Sequence, residues 1–366
     1  MKRIFSYVFF ILLFLNSCSS DNEENEKALS NFIAIGEEEG TFYEFSFDAS
    51  TNQASTISLT DELGLNRSAL QGITFADNII SFYDRNQNEF SASQKDLSTG
   101  AFEKYESYFS LEENEFLIWN VHSPQHIYVG YEKPIGSGQV YVRIIDRQNK
   151  EVNDILLATI SRASLTGLPM YFNQKLFISF VDEGIYKTIV FNINTLSVDD
   201  TIVYEDIPFI LKNTNGNLSI FQNSKKYFEY DLTTFNKIKT RTLGTIPPFL
   251  SFGNLTEPII HNNIVYYRYP AAQPSFLRFY PGIFDINTQE NTFIDVNSNI
   301  NISFEPLQET RFLPLAVVYD ITNEVFLVGF TADYLEGTKG IMIFDKNKKL
   351  IDAIELPFSP FKILLN

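Results

Sequence analysis

Beyond residue 30 the apolar positions of this chain fall in short runs of aromatic and β-branched residues. Phe177-Ile178-Ser179-Phe180 and Ile264-Val265-Tyr266-Tyr267 are typical, and such runs end at Asn, Asp, Gly or Pro. Helical periodicity is hard to find there. Side chains of this kind suit a pleated, half-buried surface, and the punctuation predicts strands joined by tight turns. The fold class read from this pattern is all-β.

One theme recurs: an apolar residue, then Asp or Asn, then turn-forming residues. It appears as Phe47-Asp48, Lys95-Asp96, Ile145-Asp146, Phe191-Asn192, Tyr230-Asp231, Phe284-Asp285 and Phe344-Asp345, with Lys95 in the apolar slot of the second copy. The steps between acids are 48, 50, 46, 39, 54 and 60 residues. A second series of apolar strand starts, Phe32, Ile79, Ile127, Leu176, Leu218, Ile264 and Val325, precedes the first with the same count of seven. A period of roughly 40 to 50 residues with several strands per unit is the signature of a β-propeller. A seven-bladed ring is predicted, with six or eight blades as alternatives if one repeat is degenerate. The repeated Asp and Asn read as turn residues whose side chains bond nearby backbone N–H groups between the third and fourth strands. Tyr319-Asp320-Ile321-Thr322 matches the theme but precedes a strand start, so it belongs to a first-to-second-strand hairpin. Blade one lacks an innermost strand at its own start. Pro360-Phe361-Lys362-Ile363-Leu364-Leu365 is similar to Pro208-Phe209-Ile210-Leu211-Lys212, which predicts that residues 361–365 complete blade one and close the ring.

The first residues read differently. Met1-Lys2-Arg3 precedes an apolar run from Ile4 to Leu15, too short for a membrane span, and Leu15-Asn16-Ser17-Cys18 follows. This segment resembles the signal peptide and lipobox of bacterial lipoproteins, which implies cleavage before Cys18, the only cysteine, and lipid on its sulfur. Ser19 in place of an aspartate points to the outer membrane of a Gram-negative bacterium. The acidic stretch Ser20 to Glu26 resembles an export tag for the cell surface, with the periplasmic face as the alternative; it also reads as a solvated tether. The expected organisation is a signal peptide over 1–17, a tether over 18–29 and a propeller over 30–366. The whole resembles β-propeller lipoproteins of bacterial surfaces in general. There is no Trp-Asp pair and no kelch double glycine, and the single Trp119 argues against tryptophan-rich quinone-binding propellers.

Net charge is −17, and loss of Lys2 and Arg3 with the signal peptide makes it −19. That balance opposes nucleic acid and anionic lipid, so membrane contact is expected through the lipid alone. With Cys18 lipidated no intramolecular disulfide is available, and the core must hold the fold.

Candidate chemistry is sparse. His122, His126 and His261 map to first-to-second-strand hairpins and read as ordinary turn or edge histidines; no metal and no cofactor is expected. Asp84-Arg85-Asn86-Gln87-Asn88 is similar to the start of a calcium loop, but Glu89 stands where glycine is needed and Lys95 where a bidentate glutamate is. No nucleophile elbow, phosphate loop or zinc-binding helix motif occurs. Loop acids Asp61, Glu132, Asp182, Glu205 and Glu309 are left open as carboxylates that converge in space. Asp200-Thr201-Ile202 matches a short O-glycosylation pattern, with Thr201 as acceptor.

Loop length points to blades five to seven. The connection from Tyr269 to Tyr280 and the inter-blade stretches 244–257 and 297–312 are the longest, and long loops in compact folds often bind. The expected groove is lined by Arg268, Tyr269, Phe276, Arg278, Phe279, Tyr280 and Arg311, suited to a protein or glycan partner. The bland reading is that the aromatics only cap the core. Three functions stand open: a non-catalytic binding or scaffold module, an enzyme acting on a glycan, lactone or peptide with acids at the channel mouth, and an envelope-assembly factor.

Overall fold

A computed structural model of the chain describes residues 29–160, 164–165, 169–247, 258–270, 279–296, 312–332 and 338–365. They form seven antiparallel sheets set as the blades of a β-propeller, six of four strands and one of five. Each of the seven apolar strand starts lies at or next to the beginning of a second strand, and the burial gradient explains why those runs are so apolar. Second strands lie between two strands of their own sheet and between two neighbouring blades, so both faces are buried: Val325–Ala332 and Leu218–Gln222 are almost wholly so. Outermost strands such as Gln53–Ser58 and Ser197–Tyr204 are largely exposed and carry more polar residues. The core therefore lies in the seams between blades, as where Trp119 and Val142 of blade three meet Leu176 and Phe191 of blade four. Trp119 lies over Gly130, where an added Cβ would fall 2.0 Å from the indole.

The ring closes as expected. Ser359–Leu365 is the innermost strand of blade one and pairs antiparallel with Phe32–Glu38, Phe32 opposite Leu365 and Ala34 opposite Ile363. Blade four departs from the pattern: its inner edge is two short pieces, Ser164–Leu165 and Met170–Phe172, both paired with Lys175–Asp182.

The repeated Asp and Asn are turn residues. Asp48, Asp96, Asp146, Asn192, Asp231 and Asp285 each accept the backbone N–H two residues on, at 2.6–3.0 Å, and Asp345 accepts that of Lys349 at 2.8 Å. A left-handed residue follows four positions after each of the first six: Asn52, Gly100, Lys150, Leu196, Phe235 and Gln289. Only Gly100 takes this conformation (φ +74°) without a side-chain cost. Asp320 accepts from Thr322 and Asn323 in the first-to-second-strand hairpin of blade seven, as its sequence position implied.

One helix was not expected. Leu59–Leu63 links blades one and two, capped where Ser58 Oγ accepts the Asp61 N–H at 3.2 Å and ended by Gly64 at φ +60°. It buries Leu59 and Leu63. One turn of helix is too short for a periodic signal.

First-to-second and third-to-fourth hairpins share one face of the ring, here the hairpin face. Second-to-third turns and inter-blade connections share the other, the loop face.

Candidate functional site

The innermost strands of all seven blades line an axial cavity of ≈ 1540 Å³. Its described wall is largely apolar, with Phe75, Val121, Phe172, Phe209 and Ile363 contributed by five different blades. Three cations line it as well. Lys362 Nζ sits 5.0 Å from the Phe75 ring centroid, Lys212 Nζ 5.5 Å from that of Phe172, and the Arg268 guanidinium 4.2 Å from that of Phe279. Aromatic faces favour such placements, because the ring quadrupole attracts a cation. Asp320 is the one acid among the described lining residues. Its carboxylate takes the Ser30 hydroxyl, Asn323 Nδ2 at 2.7 Å and the Thr322 and Asn323 amides. Burial raises its pKa, but these donors outweigh burial and hold it below the usual carboxylate value.

His122 also borders the cavity and corrects the expectation of an edge histidine. It is fully buried at the end of blade three's innermost strand, where it touches blade two. Nε2 lies 3.2 Å from the Ile79 carbonyl and must donate to it, so Nδ1 is the acceptor facing Thr74 Oγ1 at 3.0 Å, Ser81 Oγ at 2.9 Å and Tyr83 OH at 3.3 Å. Burial pushes its pKa down to about 3, which keeps the ring neutral. The other two histidines lie at the hairpins. His261 Nδ1 meets Thr214 Oγ1 at 2.9 Å, and His126 stands 3.8 Å from Asp146.

Of the residues expected to line an aromatic and arginine groove around blades five to seven, the four described ones lie on two faces of the blade six sheet. Tyr269 and Tyr280 are directly opposed strand residues, as are Pro270 and Phe279, so only 271–278 connect the two strands. Alternate strand residues face opposite sides of a sheet. Tyr269 and Tyr280 pack on Phe293, with centroids 4.7 and 5.2 Å apart, and Tyr269 borders the blade five seam. Arg268 and Phe279 point to blade seven, where Arg268 Nη2 donates to the Leu315 carbonyl at 2.6 Å. Phe276, Arg278, Arg311, Glu309 and Cys18 lie outside the described residues. Thr201 is exposed on the outermost strand of blade four.

The loop acids are held locally. Glu132 accepts the Gly138 N–H at 2.7 Å, Asp182 pairs with Lys187 at 2.8 Å, Glu205 pairs with Lys226, and Asp61 lies in the first turn of the short helix. Asp84 to Glu89 spans a two-residue hairpin, Asn86 opposite Glu89. Among the described residues no group of three or more His, Cys, Asp or Glu side chains could hold a metal ion.

Sequence reasoning missed the channel lysines. The signal was present, since Lys212 and Lys362 both sit in the two similar segments that pointed to ring closure. Reading both segments as innermost strands places them on the axis, but it does not show that the lysine side chains line the cavity there.

No protein-family model matches this sequence, and no curated protein does. Among solved structures it is similar to a protein from Lactobacillus plantarum, at TM-score 0.50 and 11% identity over 92% of this chain and 99% of that one. The dihydro-heme d1 dehydrogenase NirN aligns at TM-score 0.46 and 10% identity, covering 96% and 78%. The β-propeller domain of the Trilobed protease from Pyrococcus furiosus aligns at 0.45 and 8%, covering 79% and 82%. Likeness at such identity speaks to the fold alone; its own seven sheets make the chain a seven-bladed β-propeller.

Proposed function

We propose that this propeller is a lipid-anchored binding module of the bacterial outer membrane, tethered through Cys18, with its loop face turned outward to a protein or glycan partner. The carrying observation is where the chain enters the ring. Ser30 donates to Asp320 in a blade seven hairpin, and Asn31 Oδ1 accepts the Ala49 N–H at 2.8 Å in a blade one hairpin. Both contacts are on the hairpin face, and the closing strand ends there too, with Leu365 opposite Phe32. A tether over 18–29 spans at most roughly 40 Å when fully extended. Lipid on Cys18 would thus keep the hairpin face near the membrane and present the second-to-third turns and inter-blade loops to the exterior.

The test combines anchoring and display. Metabolic labelling with an alkynyl fatty acid should mark the native protein, and Cys18→Ser should lose both the label and the membrane fraction. An epitope inserted at Gln87-Asn88, a loop-face turn, should be reached by antibody on intact cells. Crosslinking in those cells should recover a partner. Retention of Cys18→Ser in the membrane fraction would overturn the anchor, and an epitope reached only after lysis would overturn surface display.

A further inference from the structure

We propose that a pocket at the loop-face mouth of the seam between blades one and two binds a neutral sugar residue. The proposal rests on the reading of the loop face as a binding surface and names the ligand class that one part of it takes. The pocket holds ≈ 320 Å³. That is the small end of the roughly 300–1,000 Å³ common for ligand sites, enough for a compact ring and not for a long chain.

Several segments meet there. Glu37 lies near the end of the second strand of blade one, and Phe42 is its direct partner on the third. Arg67 comes from the connection between the blades, Gln71 and Gly72 from the innermost strand of blade two, and Phe361 from the closing strand. Phe361 and Gln71 are the extra residues of two β-bulges. Ile35 and Gly36 pair with Lys362 and Pro360, which leaves Phe361 over, and Leu70 and Gly72 pair with Asp84 and Tyr83, which leaves Gln71 over. A bulge re-aims the side chain it frees. The innermost strands of blades three and seven bulge near their starts too, but the residues freed there are Ile118 and Leu315.

The side chains offer donors and acceptors beside apolar surface. Arg67 Nε donates to Glu37 Oε1 at 3.2 Å while its guanidinium stands 5.5 Å from the centroid of the Phe42 ring. That bond uses one carboxylate oxygen and one guanidinium donor, so the pair presents further donors and a further acceptor with its two charges already matched to each other. Gln71 adds an amide that both donates and accepts. Phe361 supplies an aromatic wall and is held edge-on to Phe42 at 6.4 Å. A sugar ring has the same division, hydroxyls that donate and accept and C–H faces that pack on an aromatic ring. A lone carboxylate or ammonium would instead compete with one partner of the ion pair. Gly72 leaves the space open: a Cβ added there would meet nothing within 4 Å. Glycine inside a strand often marks close approach of a ligand to the backbone.

The experiment is a ligand-detected NMR titration of the chain from residue 18 carrying Cys18→Ser. Maltose, cellobiose, lactose and mannobiose are the probes, with glucuronate and glucosamine as charged controls. At least one neutral disaccharide is expected to bind saturably, and more tightly than either charged sugar. Gly72→Leu, which fills the pocket, and Arg67→Ala, which removes its donors, should each weaken that sugar about tenfold or more. Arg67 and Gln71 are exposed, so Arg67→Ala and Gln71→Ala read the site even if Gly72→Leu fails to fold. Absence of saturable binding by every neutral disaccharide, unchanged affinity in the Arg67 variant, or tighter binding of a charged sugar would each overturn the proposal. Lipid on Cys18 takes no part in these titrations, so their failure would strike the sugar site and leave anchor and display to the labelling and epitope experiments.

Discussion

The Lys95 ammonium lies 2.9 Å from Glu44 Oε2 within the seam between blades one and two. Glu62, from the short helix between these blades, approaches the same ammonium at 2.7 Å. Lys95 is 2% exposed, so the one charged residue in the apolar slot of the repeat is not a surface exception. It is buried like its six counterparts and made tolerable by two carboxylates.

Removing that charge alone should therefore be costly. Lys95→Met is expected to destabilise the protein by about 3–5 kcal/mol, because Glu44 stays buried without its cation. Adding Glu44→Gln should recover part of the loss, and denaturant titration of both variants measures it. Burial lowers the Lys95 pKa, but the hydrogen bonds its ammonium donates to Glu62 and Glu44, with their negative charges, outweigh burial and raise it overall. The pair's contribution is then full below the ordinary lysine pKa and is lost as pH rises through the raised folded value.

Ending the chain at Pro360 should lower the melting temperature. The deletion removes most of the strand that pairs with Phe32–Glu38 and takes away the packing of Phe361 and Ile363 in the seams on either side of blade one. Burial of each large apolar side chain is worth about 1.5–3 kcal/mol, and a drop of roughly 10 °C or more follows for a domain of this size. An unchanged transition in calorimetry would remove the closing strand from the energetics of the ring.

His122 should make stability fall with acid. Its pKa is about 3 in the folded protein and ordinary once unfolded, so between these values the unfolded chain binds a proton that the folded chain does not. Stability should decline by about 1.4 kcal/mol per pH unit as pH drops below ~6.5, from this group alone. His122→Asn should be less stable at neutral pH, since the shorter side chain loses the Nε2 donor to the Ile79 carbonyl and leaves a gap where the buried ring stood. Its deficit should shrink toward pH 5; parallel pH profiles for the two proteins would contradict the buried neutral imidazole.

Asp320 should control how firmly the chain's entry into the ring is held. In Asp320→Ala the Ser30 hydroxyl and the Thr322 and Asn323 amides lose their acceptor, at a cost of about 1–3 kcal/mol. Hydrogen exchange should rise at residues 30–32 and leave the blade four strands unchanged. Since the folded pKa of Asp320 is lowered, the wild-type latch is present above the ordinary carboxylate pKa and weakens as pH falls through the folded value. Uniform exchange across the ring would mean that Asp320 supports the whole fold and not this entry alone.

Much of the ring could be read in one dimension because its determinants are local. Each third-to-fourth turn carries its own Asp or Asn, bonded two to four residues away, and each second strand is apolar because both its faces are covered in every blade. The closing strand was legible by likeness to the innermost strand of blade five. For the expected groove, only Arg268, Tyr269, Phe279 and Tyr280 fall among the described residues, and their separation depends on strand alternation, which nearness in sequence does not convey. Strand alternation sends Arg268 and Phe279 to one neighbour and Tyr269 and Tyr280 to the other.

The sequence by itself determined the all-β class, the seven repeats, the turn chemistry and the join between chain end and first blade. These depend on residues close together or on one pairing of similar segments. Only the tertiary structure decided that Lys95 is a buried partner of Glu44, that His122 is a neutral hub between blades two and three, and that Lys212, Lys362 and Arg268 share an axial cavity. Those relationships join residues tens to hundreds of positions apart, and the ring brings them together by placing one strand from every blade on a common axis.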